Sequence, residues 1–198
     1  MTSMPRLPLL AATAVLAALA AVPSQAATLY SLPAATAALE TNTSVTANFG
    51  ASAGAGQVDF TLAGYASLDG DNFWIDVLHV TLNGSEVFSG TWNFGGGGTD
   101  RVLLDPNGAT VGAVAGQQLT VSIPVTLAAG ANQLVFRYES PTSFEGSDRA
   151  GFQGLNDEGW GLNTATVTGM AAAVPEPTPG LLLLAGLGVL GWLAKRRR

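Results

Sequence analysis

Apolar and polar residues alternate along much of the chain. In "LTVSIPVTL", Leu119, Val121, Ile123, Val125 and Leu127 face one way and the residues between them the other. That period of two predicts a strand with one buried face. "QVDFTLAG" repeats it with Val58, Phe60 and Leu62, and "NQLVFRY" with Leu134, Phe136 and Tyr138. "FWIDVLHVTLNGSEVFSG" predicts a long strand, a turn and a second strand. Its Asn83-Gly84 pair is a hairpin signal, because both residues tolerate positive φ. Pro124 has no N–H for a ladder and predicts an edge strand. "GWGLNTATVTG" supplies the last strand, and "GGGGTD", "DPNG" and "AAGAN" read as turns. Residues 44–170 show no helical period. The expected fold class is all-β, a β-sandwich or jelly roll, in which two sheets bury their apolar faces against each other. Residues 27–43 are rich in Ala and Thr and weakly patterned, and read as a linker or irregular segment.

The two ends break the pattern. "MTSMPRLPLLAATAVLAALAAVPSQA" carries Arg6, then an apolar run from Leu7 to Val22, then small residues before a cut after Ala26. Residues 1–26 therefore read as a secretory signal peptide, which implies passage through the Sec translocon. At the other end, residues 171–198 divide into a proline-spaced hinge (174–179), an apolar helix (180–194) and a basic tail (195–198). The fifteen apolar residues of that helix reach about 22 Å, short of a ~30 Å hydrocarbon core. As a transmembrane helix it is a marginal anchor. The positive-inside rule keeps Lys195, Arg196, Arg197 and Arg198 on the cytoplasmic side, as a stop-transfer cluster.

Composition sharpens the picture of the body. Only 11% of the 198 residues are charged, against ~25% in an ordinary soluble domain. Between Glu40 and Glu158 lie 13 acidic residues and only three basic ones, Arg101, Arg137 and Arg149. Such a negative field repels phosphate backbones and argues against nucleic acid. The chain has no cysteine, which removes disulfides, thiolate metal sites and cysteine nucleophiles together.

Candidate chemistry is sparse. His79 is the single histidine, and Asp76 falls on the opposite face of its strand, so a catalytic triad is poorly supported. Paired carboxylates for glycoside cleavage cannot be selected among so many acids. "FGGGGTD" lacks the Lys and Ser/Thr of a phosphate loop. "LDGDNFWID" is no EF-hand, since Phe73 and Trp74 occupy its fifth and sixth positions. Two separated loops remain as a candidate calcium site, with Asp69 and Asp71 from one and Asp157, Glu158 and Asn163 from the other. The competing reading makes these acids turn formers and solvated edges. Trp74, Trp92 and Trp160 are candidate sugar-stacking residues if exposed, and core residues if not.

The tail carries a resemblance. Val174, Pro175, Glu176 and Pro177, then a short Gly/Leu-rich helix and a terminal arginine cluster, resemble the PEP-CTERM sorting signal over about the last 25 residues. The resemblance implies export across the inner membrane of a Gram-negative bacterium and transient anchorage there. It implies cleavage near Pro-Glu-Pro by an exosortase, then release or attachment at the surface. It also implies company with exopolysaccharide and biofilm. "FQGLNDEGWGLNTATV" is similar to a closing-strand motif of such ectodomains, with Asn163 and Thr164 standing for its Asp-Asn and Gly159 for its Ser. The expected function is a non-enzymatic structural or adhesive role at the surface or in the matrix. The alternatives are a carbohydrate-binding module for exopolysaccharide and, less favoured, a glycan-active enzyme.

Overall fold

The alternating segments form strands that pair into two antiparallel sheets. The structure, a computed structural model, describes residues 26–65, 67–140, 155, 157–171, 187 and 195–196. The strands run in the order β1 (Ala26–Ser31), β2 (Leu39–Glu40), β3 (Thr43–Ala51), β4 (Gly54–Gly64), β5 (Val77–Leu82), β6 (Ser85–Thr91), β7 (Arg101–Leu104), β8 (Thr110–Val111), β9 (Gln118–Leu127), β10 (Gly130–Glu139) and β11 (Gly159–Met170). One sheet has the order β1-β11-β4-β9-β8, with β2 also paired to β11, and the other the order β3-β10-β5-β6-β7.

The inward rows follow from the sequence period. Val58, Phe60 and Leu62 of β4 and Leu119 to Leu127 of β9 meet Leu78, Val80 and Leu82 of β5 and Leu134, Phe136 and Tyr138 of β10 in one core. Phe60 and Phe136 meet edge to face across the sheets at 5.0 Å, a favoured geometry for aromatic rings. A bulge between Leu162 and Thr164 shifts the parity of β11. It lets Trp160 and Leu162 point inward before it and Ala165 and Val167 after it. Asn83 (φ 53°) and Gly84 (φ 80°) close the β5–β6 hairpin. Pro124 lies on β9 opposite Gln57, beyond the short stretch that β8 covers at Val121 and Ser122.

Three features depart from the expectations. Residues 27–43 are not a plain linker: β1 pairs with β11 from Ala26↔Met170 to Ser31↔Thr166, and β2 pairs with its start. Ala26, the last residue of the expected signal peptide, heads β1. The strand expected to begin at Phe73 begins at Val77. Asn72 Oδ1 instead accepts the Trp74 N–H at 2.6 Å, making a side-chain turn that takes the backbone out of the ladder.

The outward face of the first sheet is rich in hydroxyls. Ser31, Thr166, Asp59, Ser122 and Thr110 line up across five strands, and Thr164, Thr61 and Thr120 across three. Ser122 donates to Asp59 Oδ1, and Thr164 Oγ1 lies 3.0 Å from Thr61 Oγ1.

The expected signal peptide before Ala26, the hinge, most of the apolar helix, Arg197 and Arg198 lie outside the described residues, while Leu187, Lys195 and Arg196 are helical. Among the described residues no helix is long and apolar enough to cross a membrane.

Candidate functional site: a buried acidic cluster

At one end of the core the inward rows turn polar. Asp76 stands one inward step before Leu78 on β5, Ser140 one step after Tyr138 on β10, and Glu158 one step before Trp160 on β11. All three are buried. Asp69 joins them from the turn that leads to β5. One carboxylate oxygen from each of Asp69, Asp76 and Glu158 can be chosen so that all lie within 4.8 Å of one another.

The turn is fixed by its backbone. The Asp69 N–H donates to Asp76 Oδ2 at 2.8 Å, and the Asp76 N–H donates back to the Asp69 carbonyl at 3.2 Å. Thr91 Oγ1 donates to that same carbonyl at 3.0 Å, and Asn72 Nδ2 donates to Asp69 Oδ1 at 2.6 Å. The glycine run clasps the turn from outside. The Gly70 N–H donates to the Gly97 carbonyl at 2.8 Å. A Cβ on Gly96 would lie 2.7 Å from Asp69 Cγ, and Gly98 has φ +79° with Gly70 against it. The run is glycine because larger residues would push the turn away.

Ser140 Oγ lies 2.5 Å from Asp76 Oδ1 and 2.7 Å from Glu158 Oε2. A hydroxyl has one proton to give. It donates to one carboxylate and accepts from the other only when that one is protonated. Burial pushes Glu158 up to about 8, helped by the Asp76 charge. Burial also pushes Asp76 up to about 6, offset in part by the hydrogen bonds from Asp69 and Ser140. Without a cation, the pair keeps a shared proton more readily than ordinary carboxylates do. Among the described residues the ion pairs lie elsewhere: Arg101 with Asp71 at 2.9 Å, Arg137 with Glu139 at 3.1 Å, and His79 with Glu86 and Glu139.

The expected calcium set is therefore redrawn. Asp69 and Glu158 are brought together, but Asp71, Asp157 and Asn163 are not in the cluster. Asp71 is half-exposed and engaged by Arg101. Asp157 accepts from Ser67 Oγ, through its carbonyl at 2.9 Å and Oδ1 at 3.1 Å. Asn163 sits at the β11 bulge. Asp76 takes their place.

The stacking set also changes. Trp92 and Trp160 are core residues at 2% and 0% exposure, so neither reaches a sugar. Trp160 donates its indole N–H to the Glu40 carbonyl at 3.0 Å, and Trp92 stacks on Phe88. Trp74 is half-buried, with the exposed Phe73 edge-on at 4.9 Å.

Residues 173–198 match the family model described as the PEP-CTERM protein-sorting motif. The match spans Val174, Pro175, Glu176, Pro177 and the basic cluster from Lys195 to Arg198. The motif implies export and membrane passage, an exosortase as processing partner, and a final place at the surface or outside the cell. A search of curated proteins and a search of solved structures each find no match.

Proposed function

We propose that this protein is a non-enzymatic component of the cell surface or extracellular matrix of a Gram-negative bacterium, delivered there with exopolysaccharide. The match at residues 173–198 carries the reading. The apolar helix would hold the chain at the inner membrane only until an exosortase cuts near Pro-Glu-Pro, leaving the β-sandwich as the working part. The burial of the acidic cluster supports a non-enzymatic role. Asp76 and Glu158 hold protons unusually well, as a general acid must. Yet both lie inside the core, out of a glycan's reach.

Hydroxyl rows on the outward face of the first sheet favour a second reading, glycan contact through hydrogen bonds to Asp59, Thr61 and Thr120. Calcium on the buried acids is compatible with either.

The test is mass analysis of the mature protein in wild-type and exosortase-deficient hosts. Wild-type surface protein should lack residues 180–198 and fractionate with polysaccharide. In the deficient host the tail should persist on membrane-bound chain. Wild-type surface protein that retained residues 180–198 would sink the proposal.

A further inference from the structure

We propose that Asp69, Asp76 and Glu158 form a buried site for one divalent cation of the calcium type, completed on its inner side by Ser140 and Tyr138. The donors are all hard oxygens, the set that calcium takes at 2.3–2.6 Å. Oxygens around one such ion stand at most about 5 Å apart, and the three carboxylates meet that limit at 4.8 Å. They come from two separated segments, the turn before β5 and the residue just before β11. Acids so buried need compensation by a proton or a cation.

A second observation points the same way. The Tyr138 hydroxyl is fully buried and, among the described residues, has no hydrogen-bond partner. A buried group left so calls for a partner, of which a water or an ion is one kind. Tyr138 follows the same inward row as Ser140, which bridges Asp76 and Glu158, and its ring leans on Trp160 at 5.8 Å. Asp76 and Glu158 are the charges that act on it most strongly, followed by Asp100 and then Asp69. An ion or a water held by the cluster would give that hydroxyl a partner. Thr41 Oγ1, also buried and without a partner among the described residues, stands beside Asn42, whose N–H donates to the Tyr138 carbonyl at 2.7 Å.

A cation there would tie the turn before β5, in one sheet, to the first residues of β11, in the other. The site would fill on export, since extracellular calcium modules bind at about 10⁻⁴–10⁻³ M. The proposal stands apart from sorting and from any glycan role, so either can fail without the other.

The experiment is thermal melting of the full chain in detergent, in chelator and in millimolar calcium. At ten times the dissociation constant the midpoint should rise by about 3–6 °C for a chain of this size. Glu158→Gln keeps the shape of the side chain and an oxygen for Ser140 while removing the charge, so it should fold and lose the rise. Asp76→Asn should lose it too. Asp71→Asn, in the half-exposed pair with Arg101, should keep it. Terbium replacing calcium should luminesce through Tyr138 and Trp160, and calcium should quench that emission by displacement. An unchanged midpoint in calcium would overturn the proposal. So would a rise that survives both Glu158→Gln and Asp76→Asn, or one abolished by Asp71→Asn.

Discussion

Raising the pH of the cation-free protein should loosen it. Asp76 moves from 3.8 to about 6 on folding, and Glu158 from 4.5 to about 8. Both folded values lie above the unfolded ones, so the folded state binds more protons between about pH 4 and pH 8. Stability is then greatest below the unfolded values and is lost as pH rises through the folded ones. One unit corresponds to about 1.4 kcal/mol, which gives about 3 kcal/mol for Asp76 and about 5 kcal/mol for Glu158. The two groups share one interaction through Ser140, so these costs do not add. Between pH 5 and 8.5, with ordinary carboxylates already ionised, a loss of about 3 kcal/mol remains. That is a large share of the 5–15 kcal/mol typical of a whole domain. The assay is urea unfolding in chelator, followed by tryptophan fluorescence, because Trp92 and Trp160 are buried. With an m-value of about 2 kcal/mol/M, the midpoint should fall by about 1.5 M. Glu158→Gln should flatten the profile, which separates the cluster from general repulsion in an acidic chain. A wild-type midpoint that stayed level or rose from pH 5 to pH 8.5 would refute the reasoning.

Two further outcomes test the packing. Phe136→Ala should cost about 3–5 kcal/mol, read from the urea midpoint, because the ring is fully buried against Phe60 at 5.0 Å. A loss below about 1 kcal/mol would mean that the sheets do not pack through this pair. Gly90→Ala places a Cβ 2.4 Å from Trp92 Cη2 and 3.0 Å from the Arg101 carbonyl. It should cost about 1–3 kcal/mol and alter the near-ultraviolet signal of the Phe88–Trp92 stack. Unchanged stability would show that the indole yields freely.

The strands that were legible in the sequence are those with one face fully buried. Leu119 to Leu127 and Leu134 to Tyr138 alternate because each inward position meets the opposite sheet. β1 was missed because it is an edge strand whose residues are half-buried or exposed, so selection for alternation is weak. Phe73 and Trp74 misled in the other direction. Both favour strands by type, but the Asn72 side chain captures the Trp74 N–H, and this local bond outweighs propensity.

Half of the cluster was hidden by the way acids were grouped. Asp69 and Asp71, or Asp157 and Glu158, look equivalent in acidic loops. Adjacent residues at a strand end point to opposite sides, so Glu158 enters the core while Asp157 stays at the surface with Ser67. The same parity carries Asp76 inward with Leu78, Val80 and Leu82, and Ser140 inward with Leu134, Phe136 and Tyr138. Each stands one step beyond the last apolar residue of its row, where the sandwich is still deep enough to exclude water. A polar residue in that position must be compensated, whereas one on the outward parity has solvent. His79 shows the contrast: one register step past Leu78 places it on the outer face, half-exposed beside Glu86. The alternation used to find the strands therefore also identifies the acids that need a partner, once each row is followed past its apolar end. Here it leads from three rows to Asp76, Ser140 and Glu158. Asp69 reaches them only because the glycines of the 95–98 run let its turn close down upon the core.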